Sequence, residues 1–247
     1  MLKICPASET SSYDWIEYFY QNAPEPALPW NGAQRLSGAE RMAVARSIQQ
    51  FQLGENASGE RLLFRAQQFA AVSGDRGFVP ALRLFIREEQ RHSRILAQFL
   101  NLEGVACLRR HWIHRAFRVI RGVAGAELCL KVLATAEVIA MPYYAALRDA
   151  TGSALLRQIC DLILNEESAH LRFQAFAIRQ FRRGRARAVR DLLKEAHLLF
   201  LIGTAAMVWV QHGSVFKAAG RNFVQFWREA VFQFQAMYDS AEGALAE

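Results

Sequence analysis

Apolar residues recur every three to four positions along most of this chain, the period of helices that bury one face. PALRLFIREEQRHSRILAQFL sets Leu82, Phe85, Ile86, Ile95, Leu96 and Phe99 on one stripe, which predicts a long amphipathic helix. Before it, SGAERMAVARSIQQFQL opens with Ser37 and Glu40 three apart, the pattern of a capping box. RLLFRAQQFAAV continues the helical pattern to a turn at SGDRG, 73–77. GAELCLKVLATAEVIAMPYYAALRD and ALLRQICDLILNEESAHLRFQAFAIRQF make a second helical pair about the turn ATGS, 150–153. Two more helices are predicted, at about 186–211 and 215–240.

No stretch shows sustained strand alternation, and no Gly-rich phosphate loop is present. The predicted fold class is therefore all-α. Residues 1–36 read as an irregular lead-in with one short helix in TSSYDWIEYFY, capped by Thr10, Ser11 or Ser12 and with Asp14 in its first turn. The prolines of QNAPEPALPWNG end it. Residues 37–182 form the four-helix core, and 183–247 add helices to the same domain. GENASGE, 54–60, predicts a π-type bulge or a break, because glycine, Asn and Ser disfavour regular helix. Pro142 should kink its helix.

A chain of 247 residues with 52% hydrophobic residues can build a large core, which excludes general disorder. Cys5, Cys107, Cys129 and Cys160 lack Cys-x-x-Cys spacing, so neither a zinc ribbon, a rubredoxin-type module nor a disulfide scaffold is indicated. MLKICPASETSSYDW has no signal-peptide core, which points to the cytoplasm. The longest apolar run, Leu198 to Val210, is shorter than the roughly 20 residues that span a bilayer, so a buried helix is expected rather than a membrane segment. Net charge is +7, concentrated in arginine. The densest basic stretch, RQFRRGRARAVR at 179–190, reads as a solvated connection. Its functional reading is docking of an acidic carrier, a phosphate-bearing substrate or RNA. Aromatics are not interleaved in it, so nucleic acid is not an expected partner.

The chemistry lies in a repeated spacing. REEQRHSRI carries Glu89 and His92 three apart, and NEESAHLRF carries Glu167 and His170 at the same spacing. Residues three apart share a helical face. Two antiparallel helices place residues equidistant from their turn at one height, with a rise of about 1.5 Å per residue. Counting from Asp75 sets Glu60 level with Glu89, whereas Glu55 would miss by about 9 Å. Counting from Thr151 sets Glu137 level with Glu167, whereas Glu127 would miss by about 12 Å. Apolar neighbours (Phe85, Leu96, Leu133, Ile163, Leu171) put these residues on or beside the core face. Four carboxylates and two imidazoles in a core are costly unless cations neutralise them. Glu60 is the least secure member, because a helix starting at Ser58 would make it a first-turn dipole partner.

This set resembles the ferritin-like di-iron carboxylate superfamily over roughly residues 37–182, where a Glu from each of two helices joins a Glu-x-x-His from each of the others. The resemblance implies a ferritin-like four-helix bundle with additional C-terminal helices. It implies Glu60, Glu89, His92, Glu137, Glu167 and His170 as metal ligands and catalytic centre, holding two Fe, with Mn or a mixed Mn/Fe pair as alternatives. Storage ferritins usually keep one Glu-x-x-His, so two motifs favour the oxygen-activating branches. Rubrerythrin-type peroxidases usually carry a further Glu where this chain has Ala140. Aldehyde-deformylating oxygenases are similar in length and spacing.

The expected activity is thus a non-haem di-iron oxygenase or oxidase that uses O2 on an apolar or carrier-bound substrate, with electrons from an external reductase. Its alternatives are a ferroxidase, iron-storage or metal-buffering protein, a di-iron RNA-modifying hydroxylase, and a bundle whose vestigial site leaves an interaction module. A homodimer is compatible with all of these. Around the site, Ala134, Ala136 and Ala140 either leave room beside the metals or allow close helix packing. Tyr144, on the face of Glu137, is expected as a packed core residue or as a redox or hydrogen-bonding neighbour. His197 is expected as a hydrogen-bonded core histidine, His212 at a helix end, and His111 and His114 at the surface.

Overall fold

The computed structural model describes residues 11–56, 58–109 and 125–243; His111 and His114 lie outside them. Among the described residues the structure is all-helical, with no strands. The helices are α1 (Ser12–Asn22), α2 (Gly38–Glu55), α3 (Glu60–Ser73), α4 (Phe78–Leu102), α5 (Ala126–Asp149), α6 (Ala154–Arg182), α7 (Arg187–Ala218) and α8 (Phe223–Gly243). Local chemistry explains several of their ends. Ser11 and Asp14 form a capping box on α1, and Ser37 and Glu40 form one on α2. Ser153 caps α6 by accepting from Leu156 N–H.

α2, α4, α6 and α5 pack side by side as a helical bundle, each antiparallel to its neighbours. Leu36 N–H donates to Glu103 while Gln52 Nε2 donates to Ser93, so α2 and α4 run in opposite senses. His92 meets Glu166 and His170 meets Glu88, which fixes α4 against α6 in the same way. Glu40 accepts from Gly152 N–H and Ser47 reaches Tyr143, ordering α2 against α5. Since α4 and α5 then point the same way, the chain passes from one end of the bundle to the other between Leu102 and Ala126. Pro142 sits within α5, which is helical on both sides of it.

One core runs through all of this. It joins Ile48, Leu96, Phe99, Tyr143, Leu156 and Ile163 of the bundle to Leu201, Phe216, Phe226 and Phe234 of the last two helices. A second cluster seats Trp15 and Phe19 of α1 on Phe85 and Phe173. The C-terminal helices depart from expectation. α7 continues through His212 and Gly213 to Ala218, and the reversal comes at Gly220, whose φ of 68° favours glycine. His212 is accordingly not a helix-end residue: it is buried, with Nδ1 2.7 Å from Ser47 Oγ. His197 is a core histidine, held by Thr135 (2.9 Å) and Tyr238 (2.8 Å). α5 and α7 are both long and apolar enough to cross a membrane, α5 largely buried within the fold and α7 mostly not. The basic stretch is partly consumed internally, since buried Arg182 pairs with Glu242 and Arg185 with Glu127.

Candidate metal centre

α4 and α6 each turn the same pentapeptide pattern inward, Glu88-Glu89-x-x-His92 and Glu166-Glu167-x-x-His170. Both helices show strong one-sided burial there, so Glu89, His92, Glu167 and His170 are all buried. One ligand atom from each lies within 4.8 Å of the others, an arrangement that could hold a metal ion. The imidazoles are centred 5.5 Å apart. His170 Nδ1 is 2.7 Å from Glu89 Oε1, 3.3 Å from Glu167 Oε2 and 3.8 Å from Glu137 Oε2. His92 Nδ1 is 3.5 Å from Glu167 Oε1 and 3.9 Å from Glu89 Oε1.

The outer nitrogens have their own partners. His92 Nε2 is 2.7 Å from Glu166 Oε2, and His170 Nε2 is 3.3 Å from Glu88 Oε2. Each histidine on one helix is thus oriented by the first Glu of the motif on the other. Arg91 ties these two carboxylates together at 2.6 Å each, and Asn22, the last residue of α1, donates to both. This places Nε2–H toward a carboxylate and leaves Nδ1 free to face inward, the usual way an outer carboxylate fixes a ligand imidazole. The expectation from sequence omitted Glu88, Glu166, Arg91 and Asn22. The doubled Glu-Glu-x-x-His was visible as a signal for the first two.

The fourth corner differs from the register estimate. Glu60 is the exposed first residue of α3, whereas Glu55, the last residue of α2, turns into the cluster. Tyr144 Oη donates to Glu55 Oε1 at 2.9 Å. The count from Asp75 assumed an unbroken helix, but the chain breaks between the two. Gly59 has φ of 66°, and a Cβ there would stand 2.5 Å from Ile86, so the break is pinned against α4 one turn before Glu89. With α2 and α3 no longer one rod, residues on the far side of the break lose the height that the count assigned them. Glu137 lies where the sequence put it. Tyr144 is both a buried core residue and the hydrogen-bonding neighbour of a site carboxylate.

The electrostatics are those of acidic and imidazole groups crowded together out of water, a setting that could hold a metal ion. Burial, then the charges of Glu89 and Glu167, push the Glu55 carboxyl well above the usual range. Burial, then Glu167, do the same to Glu137, and burial, then Glu137 and Glu167, raise Glu89. Burial opposes ionisation of Glu167 too, but Glu137 and His170 outweigh it and hold that carboxylate low. Burial likewise works against charge on both imidazoles, yet the surrounding glutamates raise them well above the ordinary value. Protons therefore occupy positions where a cation would serve. His92 Nδ1, Glu137 Oε1 and Glu167 Oε1 are buried without hydrogen-bond partners, and all three belong to the cluster. Unsatisfied buried atoms are rare and costly, and here they converge on one another. Carboxylate oxygens and imidazole nitrogens together form a donor set that could hold a metal ion.

A cavity of about 540 Å³ opens on one side of the cluster. Glu55, Glu89 and Glu137 line it beside the cluster, and Phe51, Leu62, Phe85, Ile86, Val132 and Leu133 are among its other walls. Ala136 and Ala140 line it, so of the three small residues these two leave room, while Ala134 is packed in the core. α7 closes the cavity with Thr204, Val208 and His212. Glu60 and Arg61 are exposed where the cavity lining reaches α3. Comparison with protein-family models, with curated proteins and with solved structures found no match for the chain.

Proposed function

We propose that this protein is a ferritin-like di-iron oxidoreductase that uses dioxygen to oxidise an apolar organic substrate. The observation carrying this reading is the buried cluster of Glu89, His92, Glu167 and His170, one ligand atom of each within 4.8 Å of the others, beside a largely apolar cavity that Glu89 and Glu137 help to line. The antiparallel order of α2, α4, α6 and α5, with a crossing between α4 and α5, supports the family resemblance.

Glu89, His92, Glu167 and His170 would hold the metal ions, with Glu137 and Glu55 completing the set in place of Glu60. Four carboxylates would balance the charge of two divalent ions. Bound iron would supply the electron transfer to O2 that no side chain of this cluster can provide. The chain's own contributions are distinct. Glu88 and Glu166 hold the imidazoles with Nδ1 inward. Tyr144 keeps a proton at Glu55 Oε1 and fixes that carboxylate where it lines the cavity. The walls exclude water and favour an apolar substrate, and Ala136 and Ala140 leave it room beside Glu137. Electrons would come from a separate reductase.

Anaerobic Fe(II) titration followed by O2 uptake tests this. Two ions per chain and stoichiometric O2 consumption are expected, both abolished by Glu89→Ala or His170→Ala. Less than about half an ion per chain with no O2 consumption would overturn the reading. Uptake of iron far beyond two per chain would replace it with the ferroxidase or storage alternative.

A further inference from the structure

Among the described residues, one face of α7 has no helix packed on it. Over Ala188–Lys217 the residues that point away from the core are Leu192, Ala196, Leu199, Gly203, Ala206 and Val210, with Ile202 beside them. Leu192 and Leu199 are each 69% exposed and Val210 is 77% exposed. The stripe repeats at alternating steps of three and four from Ala196 to Gly213, the seam of a two-helix contact. A Cβ at Gly203 or Gly213 would meet nothing within 4 Å, so the fold itself does not require glycine at either position. The opposite face of the same helix carries Thr204, Val208 and His212 into the cavity.

We infer that this face binds the same face of a second copy, with the two α7 helices antiparallel about a two-fold axis. Charge selects both the occupant and the direction. Glu195 and Lys217 are the charges on the stripe, one toward each end, and neither has an ion-pair partner among the described residues; Ser214, also on this face, donates to Ala43 C=O. Antiparallel pairing sets Leu199 against Val210 of the other copy, Gly203 against Ala206, and Ala196 against Gly213. The same register brings Glu195 within one helical turn of Lys217 across the axis, twice by symmetry. Parallel pairing would instead set each charge against its own like. From Leu192 to Gly213 the apolar stripe is about 30 Å long and roughly 10 Å wide, so two copies bury on the order of 600 Å², the size of a weak, reversible contact rather than a permanent one. Each copy then braces the cavity wall of the other, whether or not the cavity serves the proposed oxidation.

Sedimentation equilibrium of the full chain between about 1 and 100 µM tests this. A monomer–dimer equilibrium is expected. Glu195→Lys and Lys217→Glu should each weaken it by about tenfold. The double exchange should restore it, which a merely damaged fold would not do. Ala206→Glu, exposed in the single chain, should leave it monomeric with an unchanged circular dichroism spectrum. A wild-type monomer throughout, or a dimer indifferent to Ala206→Glu and to both single reversals, would overturn the inference. So would a monomer that co-sediments with vesicles of anionic and zwitterionic phospholipid, which would give the face to a membrane surface.

Discussion

Glu55→Gln and Glu60→Gln separate the two candidates for the fourth corner, because the structure gives them opposite consequences. Glu55 ends α2, at the negative pole of its helix, and faces Glu89 and Glu167 in a desolvated cluster. Burying it in the metal-free fold therefore costs free energy, because it must take up a proton against its ordinary preference. Gln keeps the acceptor for Tyr144 Oη and removes the ionisable group. Replacing buried ionic groups by neutral ones of similar volume is at best stabilising by about 1–4 kcal/mol. For a domain of this size that is a rise in Tm of roughly 3–12 °C for the metal-free protein. The same change removes a metal-facing carboxylate, so the further rise in Tm on adding Fe(II) or Mn(II) should shrink. Glu60 is exposed, and Glu60→Gln should alter both values by no more than about 0.5 kcal/mol. Differential scanning calorimetry with chelator and with excess metal reads all four numbers. A lower metal-free Tm for Glu55→Gln, or loss of the metal-dependent shift in Glu60→Gln alone, would refute the assignment.

Three other outcomes are expected. Glu166→Ala removes the carboxylate that orients His92, whose loss should cost 10–100-fold in metal affinity by competition with a chelator while secondary structure is kept. Ala136→Leu fills the cavity beside Glu137 and should lower substrate oxidation at least about tenfold with metal content unchanged; equal loss of metal would show that the residue serves packing alone. Burial, with Lys131 nearby, lowers His197 to about 4. A base held neutral in this way contributes stability that is fully present above pH 6.5 and is lost as pH falls toward 4. The loss is about 3 kcal/mol, and His197→Gln should flatten that part of the urea-denaturation profile.

The sequence by itself determined most of the helices and the two motif-bearing helices of the site. Capping at Ser37 and Glu40 and the apolar periods of α4 and α6 are local, so their physics is written in adjacent residues. Glu89, His92, Glu167 and His170 were legible because a spacing of three fixes a common face wherever the helix goes. Glu137 was legible because an intact helix joins it to a short turn. Glu55 was not, since its place depends on a break at 56–59 and on Gly59 lying against Ile86, a contact between separate helices. Asn22 and Arg91 were illegible for the same reason: their roles arise only when α1 is laid across α4 and α6. The cavity is likewise a tertiary product, walled by α7 from the far end of the chain. Local periodicity sets which residues can face a core. Only packing between distant helices decides which of them meet, because height along a bundle is inherited through every turn and break that precedes it.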